Sequence, residues 1–327
     1  LRYYLPDYGE RTIRPYALGR FRDLLGAVAK SPAMLLYLDN AQSVADSGRP
    51  TLGNPRRARI GQAIVNRRTQ RMDSAQRAVV QDLQQRRPRG LNENYARELL
   101  ELHTLGVDGG YTQQDVIEVA RALTGWGVNA PRQGGGFAFR AQAHDAGAKV
   151  VLGHKLKAGR GIEDGEEVLD IVSRHPSTAM YISRKLVTRF VSDEPPQDLV
   201  ERAAATFTRT NGDIREVVRT IVASPEFFSR TAFRSKVKSP FEVTVSALRA
   251  LGATADTTPF SAGLVGRLGQ PLYGHQAPNG WPETGEAWIN TGAILNRINL
   301  GIVVASGRVP GAPLRAFDAF KALTLDI

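Results

Sequence analysis

The chain holds no cysteine in its 327 residues. That absence excludes disulfides, thiolate zinc sites and cysteine nucleophiles together. It leaves the compartment open, because cytosolic and periplasmic proteins can both lack cysteine. No run of 18 apolar residues occurs, so the sequence offers no membrane span. Also missing are a Gly-x-Ser-x-Gly elbow, a phosphate loop, a dinucleotide fingerprint and a His-Glu-x-x-His helix. Their absence weakens the common hydrolase, nucleotide and zincin classes. Residue 1 is leucine and no charged-then-apolar leader follows, so the chain reads as a fragment, a processed form or one missing its start.

What is present is ordinary for a globular protein: 42% of residues are hydrophobic, and the length allows one or two domains. The net charge of +11 is uneven. Ten arginines and two aspartates lie between Pro55 and Arg89, a local +8. Such a stretch suits an anionic polymer, nucleic acid or lipid headgroups. No aromatic interleaving or RNA-binding signature accompanies it, and a solvated arginine-rich insertion over 45–90 is the simpler account.

Helical periodicity dominates and predicts an all-α fold, read as a single mainly helical domain over 1–327. The pattern is an irregular multi-helix array with two Gly/Pro-rich loops, 127–163 and 269–285. Helices are expected at about 16–30, onward from Pro32, and at 60–83, 94–105 and 113–124. More follow at 165–174, 177–191, 197–209, 213–223, 240–251 and 286–306. Within 127–163, FAFR and KVVLG read as short strands, which predicts one small β-hairpin.

The richest window runs from Asn92 to Trp126. At about 100° per residue, His103 falls among Ala96, Leu99 and Leu100 on an apolar face. Asn94, Glu98 and Glu101 fall on the opposite side, so His103 shares no site with them unless the helix breaks first. Those three oxygen-bearing side chains could converge on a divalent cation or on substrate hydroxyls. An Arg97–Glu101 pair at i, i+4 is the ordinary alternative. Asn92, Asn94 and Arg97 add amide and guanidinium groups for a ligand. In VDGGYTQQD, Asp108, Gly109, Thr112 and Asp115 match half of a calcium loop. A helix corner fits better, with Gly106 left-handed at the first helix end and Thr112 and Asp115 forming a capping box.

His144-Asp145 lies in the glycine-rich loop, where the pair could bind metal or act as a base. The plain alternative is a turn-forming aspartate beside a solvent-exposed histidine. Glu98, Glu101, His144 and Asp145 are thus the catalytic candidates. Asn94, Glu98, Glu101, Asp108 and His144 are the metal-ligand candidates. His175, just before Pro176, reads as a helix cap. Trp126, Tyr273, Trp281 and Trp288 sit at or near the irregular stretches. Aromatic faces beside amides bind sugars or peptides, and Trp126 and Trp281 are the ligand-binding candidates among them; ordinary core packing is the alternative.

NENYARELLELHTLGVDGGYTQQDVIEVARALTGW resembles the bacterial family called domain of unknown function 1800. RPYALGRFRDLLGAVAKSPAMLLYLDNAQS and AHDAGAKVVLG are similar to its earlier segments. ISRKLVTRFVSDEPP, GDIREVVRTIVASPEF and GQPLYGHQAPNGWPETGEAWINTGAILNRINLG are similar to its later ones. The six motifs appear in order over roughly residues 10–305. The resemblance implies a bacterial protein exported to the periplasm or beyond. It also implies an upstream helical region, with a Trp/His/Asn-rich motif this chain lacks, and a partner from the family called domain of unknown function 1501. It brings no activity with it. His275 stands where the family often has a less regular residue, which argues against an essential ligand there. From these features we expect an envelope or extracellular binding protein; a metal-assisted hydrolase and an anionic-polymer binder are the alternatives.

Overall fold

Helix starts in this chain are written by proline, asparagine and serine or threonine caps. A computed structural model describes residues 3–53, 67, 90–130, 132, 134–253, 259–306 and 309. The arginine-rich helix expected over 60–83 lies outside the described residues. Two compact units form: Leu1–Ser183 with Glu201–Thr220, and Arg184–Val200 with Ile221–Ile327. No Pro/Gly-rich linker in the sequence marks that division.

In the first unit, α1 (Phe21–Ala29) follows a short helical lead. Pro32 opens α2 (Pro32–Tyr37), where the missing proline N–H costs nothing. Asn92 caps α3 (Glu93–Glu98) by accepting from the Asn94 and Tyr95 N–H groups. α4 (Gln113–Ala122) starts at a complete Thr112–Asp115 capping box. The corner between them is the helix corner, not a calcium loop. Gly106 sits at φ +85°, and Asp115 spends its oxygens on Thr112 and on the Leu152 N–H at 2.7 Å.

Two hairpins follow where the sequence suggested one. β1 (Trp126–Val128) pairs antiparallel with β2 (Phe137–Phe139), and β3 (Lys149–Val151) with β4 (His154–Leu156). FAFR and KVVLG therefore belong to different sheets. Then come α5 (Ile162–Arg174), α6 (Pro176–Phe190), α7 (Gln197–Arg209) and α8 (Ile214–Val222), of which Arg184–Phe190, Gln197–Val200 and Ile221–Val222 belong to the second unit. Leu35, Leu99, Leu100, Val116, Leu123, Val168 and Leu169 are buried in the core of this unit.

Gly165 on α5 is required by a close approach. A Cβ there would stand 2.3 Å from the fully buried Trp126 ring. Alanine would gain about 1 kcal/mol of helix propensity. Displacing a packed indole costs about 1–3 kcal/mol. Gly165→Ala is therefore expected to lower the thermal midpoint; a raised midpoint in calorimetry would refute the contact.

In the second unit, α9 (Pro240–Ala250) starts at a Ser239–Glu242 capping box. α10 (Phe260–Arg267) and α11 (Thr291–Ala305) follow. The expected helix over 286–306 is in fact a 3-10 turn, Gly285–Trp288, and then α11, because Asn290 caps a fresh start through the Ala293 N–H. Leu264, Leu268, Leu300 and Val309 form a small core here.

Candidate functional site

The Asn92–Trp126 signature does not stay α-helical. From Leu99 to Thr104 the backbone opens into a π-helix, with the Leu105 N–H reaching back to the Leu100 carbonyl at 2.8 Å. The Thr104 hydroxyl, buried, donates to the Leu99 carbonyl at 2.6 Å. A π turn is rare and stacks residues five apart. The regular wheel therefore fails beyond Leu99.

Glu98 is buried rather than on an outer face. Loss of hydration raises its carboxyl above the ordinary value; Glu101 adds to the rise and Arg97 offsets part of it. The Tyr37 hydroxyl is raised as well, first by burial and then by the Glu98 charge. Glu101 is half-buried, lies 3.5 Å from Arg97 and accepts a hydrogen bond from Tyr111. His103 is half-buried, and its lost hydration brings the imidazole down to about 4. Arg97 also donates to Gln113 at 2.7 Å, tying α3 to the start of α4. Asn94 and Asp108 are exposed. Asn92 is occupied as the cap, and its amide donates to the Leu38 carbonyl at 2.7 Å.

His144 and Asp145 lie elsewhere, and neither meets solvent. This corrects the picture of an exposed loop histidine. The pair is enclosed by the β-hairpin region, α4 and α5 in a network of ions. Arg121 grips Asp145 with two bonds, Nε to Oδ2 at 2.8 Å and Nη2 to Oδ1 at 3.2 Å. Its remaining nitrogen reaches Glu118 at 2.6 Å. Lys149 donates to Asp164 at 2.6 Å and to the Asp145 carbonyl at 2.6 Å. His144 Nε2 is 3.4 Å from Asp164, and its Nδ1 is 2.9 Å from the Thr124 carbonyl. Arg160 closes the far side of Asp164 at 3.2 Å.

Burial alone would raise the Asp145 carboxyl. The Arg121 hydrogen bonds, the Gly147 N–H and the charges of Arg121 and Lys149 instead carry it below the ordinary value. Asp164 is lowered in the same way, against burial, by His144 and Lys149. A carboxylate held so firmly as an anion is a poor proton shuttle.

The metal-ligand candidates do not converge. Among the described residues no three His, Asp or Glu side chains gather where they could hold a metal ion. Asn94 and Asp108 are exposed, Glu98 precedes the π turn, Glu101 lies within it, and His144 is sealed in its own network. Trp126 is not a surface platform: it is fully buried, edge-on to Phe137 with centroids 5.2 Å apart. Trp281 is half-buried, 4.7 Å from His275 and 6.0 Å from the buried Trp288.

Arg121, Lys149, Asp164 and Glu118 carry this network, yet sequence reasoning passed over all four. Lys149 opens an alternating strand and reads as solvated, and Asp164 reads as a first-turn acid of α5. The available signal was the cluster of Asp145, Lys149, Arg160 and Asp164 in and beside one glycine-rich segment.

A roomy groove lies along α5. It encloses about 680 Å³ and is lined by His154, Arg160, Glu163, Glu167, Asp170, Arg174 and His175. The His175 imidazole accepts the Ser177 N–H at 3.2 Å, as a cap. Burial, then the neighbouring His154, lowers its pKa. Among the described residues no helix is long and apolar enough to cross a membrane.

No curated protein and no solved structure matches the chain. One family model, described as Protein of unknown function (DUF1800), matches residues 1–325. With its signature folded into the capped corner and π turn described above, this chain belongs to that family.

Proposed function

We propose that this is a non-catalytic binding protein of the periplasm or cell exterior, which holds a polar cell-envelope ligand together with a protein partner. The partner expected from the resemblance is a member of the domain of unknown function 1501 family. The observation that carries the reading is the groove along α5, with carboxylates, guanidinium groups and two imidazoles on one open wall. Mixed charges at that spacing suit a ligand bearing both an amine and a carboxylate, such as a wall peptide. The enclosure of His144-Asp145 supports the same reading, because the loop acid–base pair is committed to internal ions.

Calorimetric titration with soluble peptidoglycan fragments tests this. Arg174 is exposed on the groove wall, so Arg174→Glu should leave folding intact. Binding is expected to weaken at least tenfold, equivalent to about 1.4 kcal/mol. Wild-type protein without binding heat, or a variant of equal affinity, would remove the proposal.

Glu98 favours a second reading. Its buried carboxyl has a raised pKa and stands at the entry of a π turn, and both features are frequent at functional sites. In that reading Glu98 is a general acid and Glu101 its neighbour. A hydrolytic activity abolished by Glu98→Gln and retained by Arg174→Glu would select it over the binding reading.

A further inference from the structure

The groove along α5 carries acids and bases, but the two are not equally free. Glu163, Glu166, Glu167, Asp170 and Arg174 line it at helical spacing, on one side of the helix. From Glu163 to Arg174 the helix rises by about 16 Å. Along most of that run the carboxylates are matched from within the protein. Glu166 pairs with Arg22 at 2.8 Å and with Lys30. Asp170 takes the Arg22 Nε at 2.5 Å, and Glu167 is held by Arg160. Glu163 accepts the Gly161 N–H at 3.0 Å where the helix begins.

The groups left over gather at the other end, and they are bases. Arg174 is exposed and, among the described residues, has neither an ion pair nor a hydrogen bond. His175 follows it directly. Its Nδ1 accepts the Ser177 N–H, so that nitrogen carries no proton and Nε2 is left to donate. His154, exposed at the start of β4, lines the same cavity, and its charge is felt at His175. A basic residue in the last turn of a helix ordinarily offsets the helix dipole. That accounts for Arg174 but not for two imidazoles meeting it across one cavity. A guanidinium fork beside imidazole donors matches the two oxygens of a carboxylate.

We propose that the groove reads its ligand by the anionic end: a peptide's C-terminal carboxylate docks on Arg174, His175 and His154. The ligand's amine, lying toward the matched acids, adds little to affinity. The identity of the ligand rests on the wall-peptide reading above; the preference of this end of the groove for a carboxylate does not.

Calorimetric titration with one soluble wall peptide in three forms tests the orientation. Against the free peptide, C-terminal amidation should weaken binding at least about tenfold, and N-acetylation less than about threefold. In Arg174→Gln the penalty of amidation should shrink below about threefold, because the partner it removes is already gone. An N-acetylation penalty equal to or larger than that of amidation overturns the proposal. So does an amidation penalty undiminished in Arg174→Gln. If no wall peptide binds, the ligand reading fails by itself, and acetate and methylammonium decide the remainder. The chain has five histidines, so their ring resonances can be assigned by His154→Gln and His175→Gln. Acetate should move the resonances of His154 and His175 while methylammonium leaves them in place. Rings indifferent to acetate, or equally responsive to both ions, overturn the proposal.

Discussion

Arg121→Ala is expected to lose about 3–5 kcal/mol of unfolding free energy, the largest effect of any single substitution argued from this structure. The side chain of Arg121 is 4% exposed and that of Asp145 is 1% exposed. Truncating the arginine leaves Asp145 without both of its guanidinium bonds and Glu118 without its partner at 2.6 Å. Asp145 would then keep only the weaker charges of Arg49, 4.0 Å away, and Lys149, and both carboxylates would lose their closest counter-charge in low dielectric. The cost is mainly that of stranding these anions. Removing Asp145 in the same chain should therefore cost less than the two single changes added together. Arg121→Lys should fall between, because an ammonium group cannot grip both oxygens at once. Urea unfolding followed by tryptophan fluorescence would measure the series. A loss under about 1 kcal/mol for Arg121→Ala would show that the network is hydrated in solution.

Stability is also expected to fall between pH 6.5 and about 4, by about 2 kcal/mol from His103 alone after allowing for the part of the ring that water reaches. The sign follows from the direction of the shift. The folded imidazole is held at about 4 by lost hydration, while the unfolded one titrates near 6.5. Between those values the unfolded chain binds a proton that the folded chain refuses, so acid favours unfolding. The contribution is complete above pH 6.5 and is lost as pH falls toward 4. His175 is lowered too and acts in the same sense. Glu98 opposes them: its raised carboxyl takes up a proton more readily in the folded state, so its contribution grows as pH falls. Asp145, Asp164 and Glu166 are lowered, and their contributions are lost later, below the ordinary carboxylate range. Unfolding free energies at neutral pH and near pH 4.5, for the parent and for His103→Asn, provide the check. The variant should show the shallower fall; parallel slopes would mean that the ring is hydrated in the folded protein.

Much of the fold could be read along the chain, since it rests on local rules. Pro32, Thr112, Pro176, Ser239 and Pro240 mark helix starts because capping and fixed φ angles act within a few residues. Gly106 marks a helix end because a left-handed residue is needed there. The family followed from six ordered segments and is matched over residues 1–325.

Three things were decided only by tertiary structure. The π turn at Leu99–Thr104 is set by how the helix beds into its neighbours, and no wheel drawn at constant pitch contains it. The two hairpins depend on which strand meets which, a non-local choice that strand propensity does not carry. The burial of His144 and Asp145 depends on Arg121, Lys149 and Asp164 arriving from other elements. A charged residue looks solvated in a one-dimensional pattern. Only the fold brings a counter-ion close enough to offset its lost hydration, and that juxtaposition turned an apparent loop site into a buried clasp.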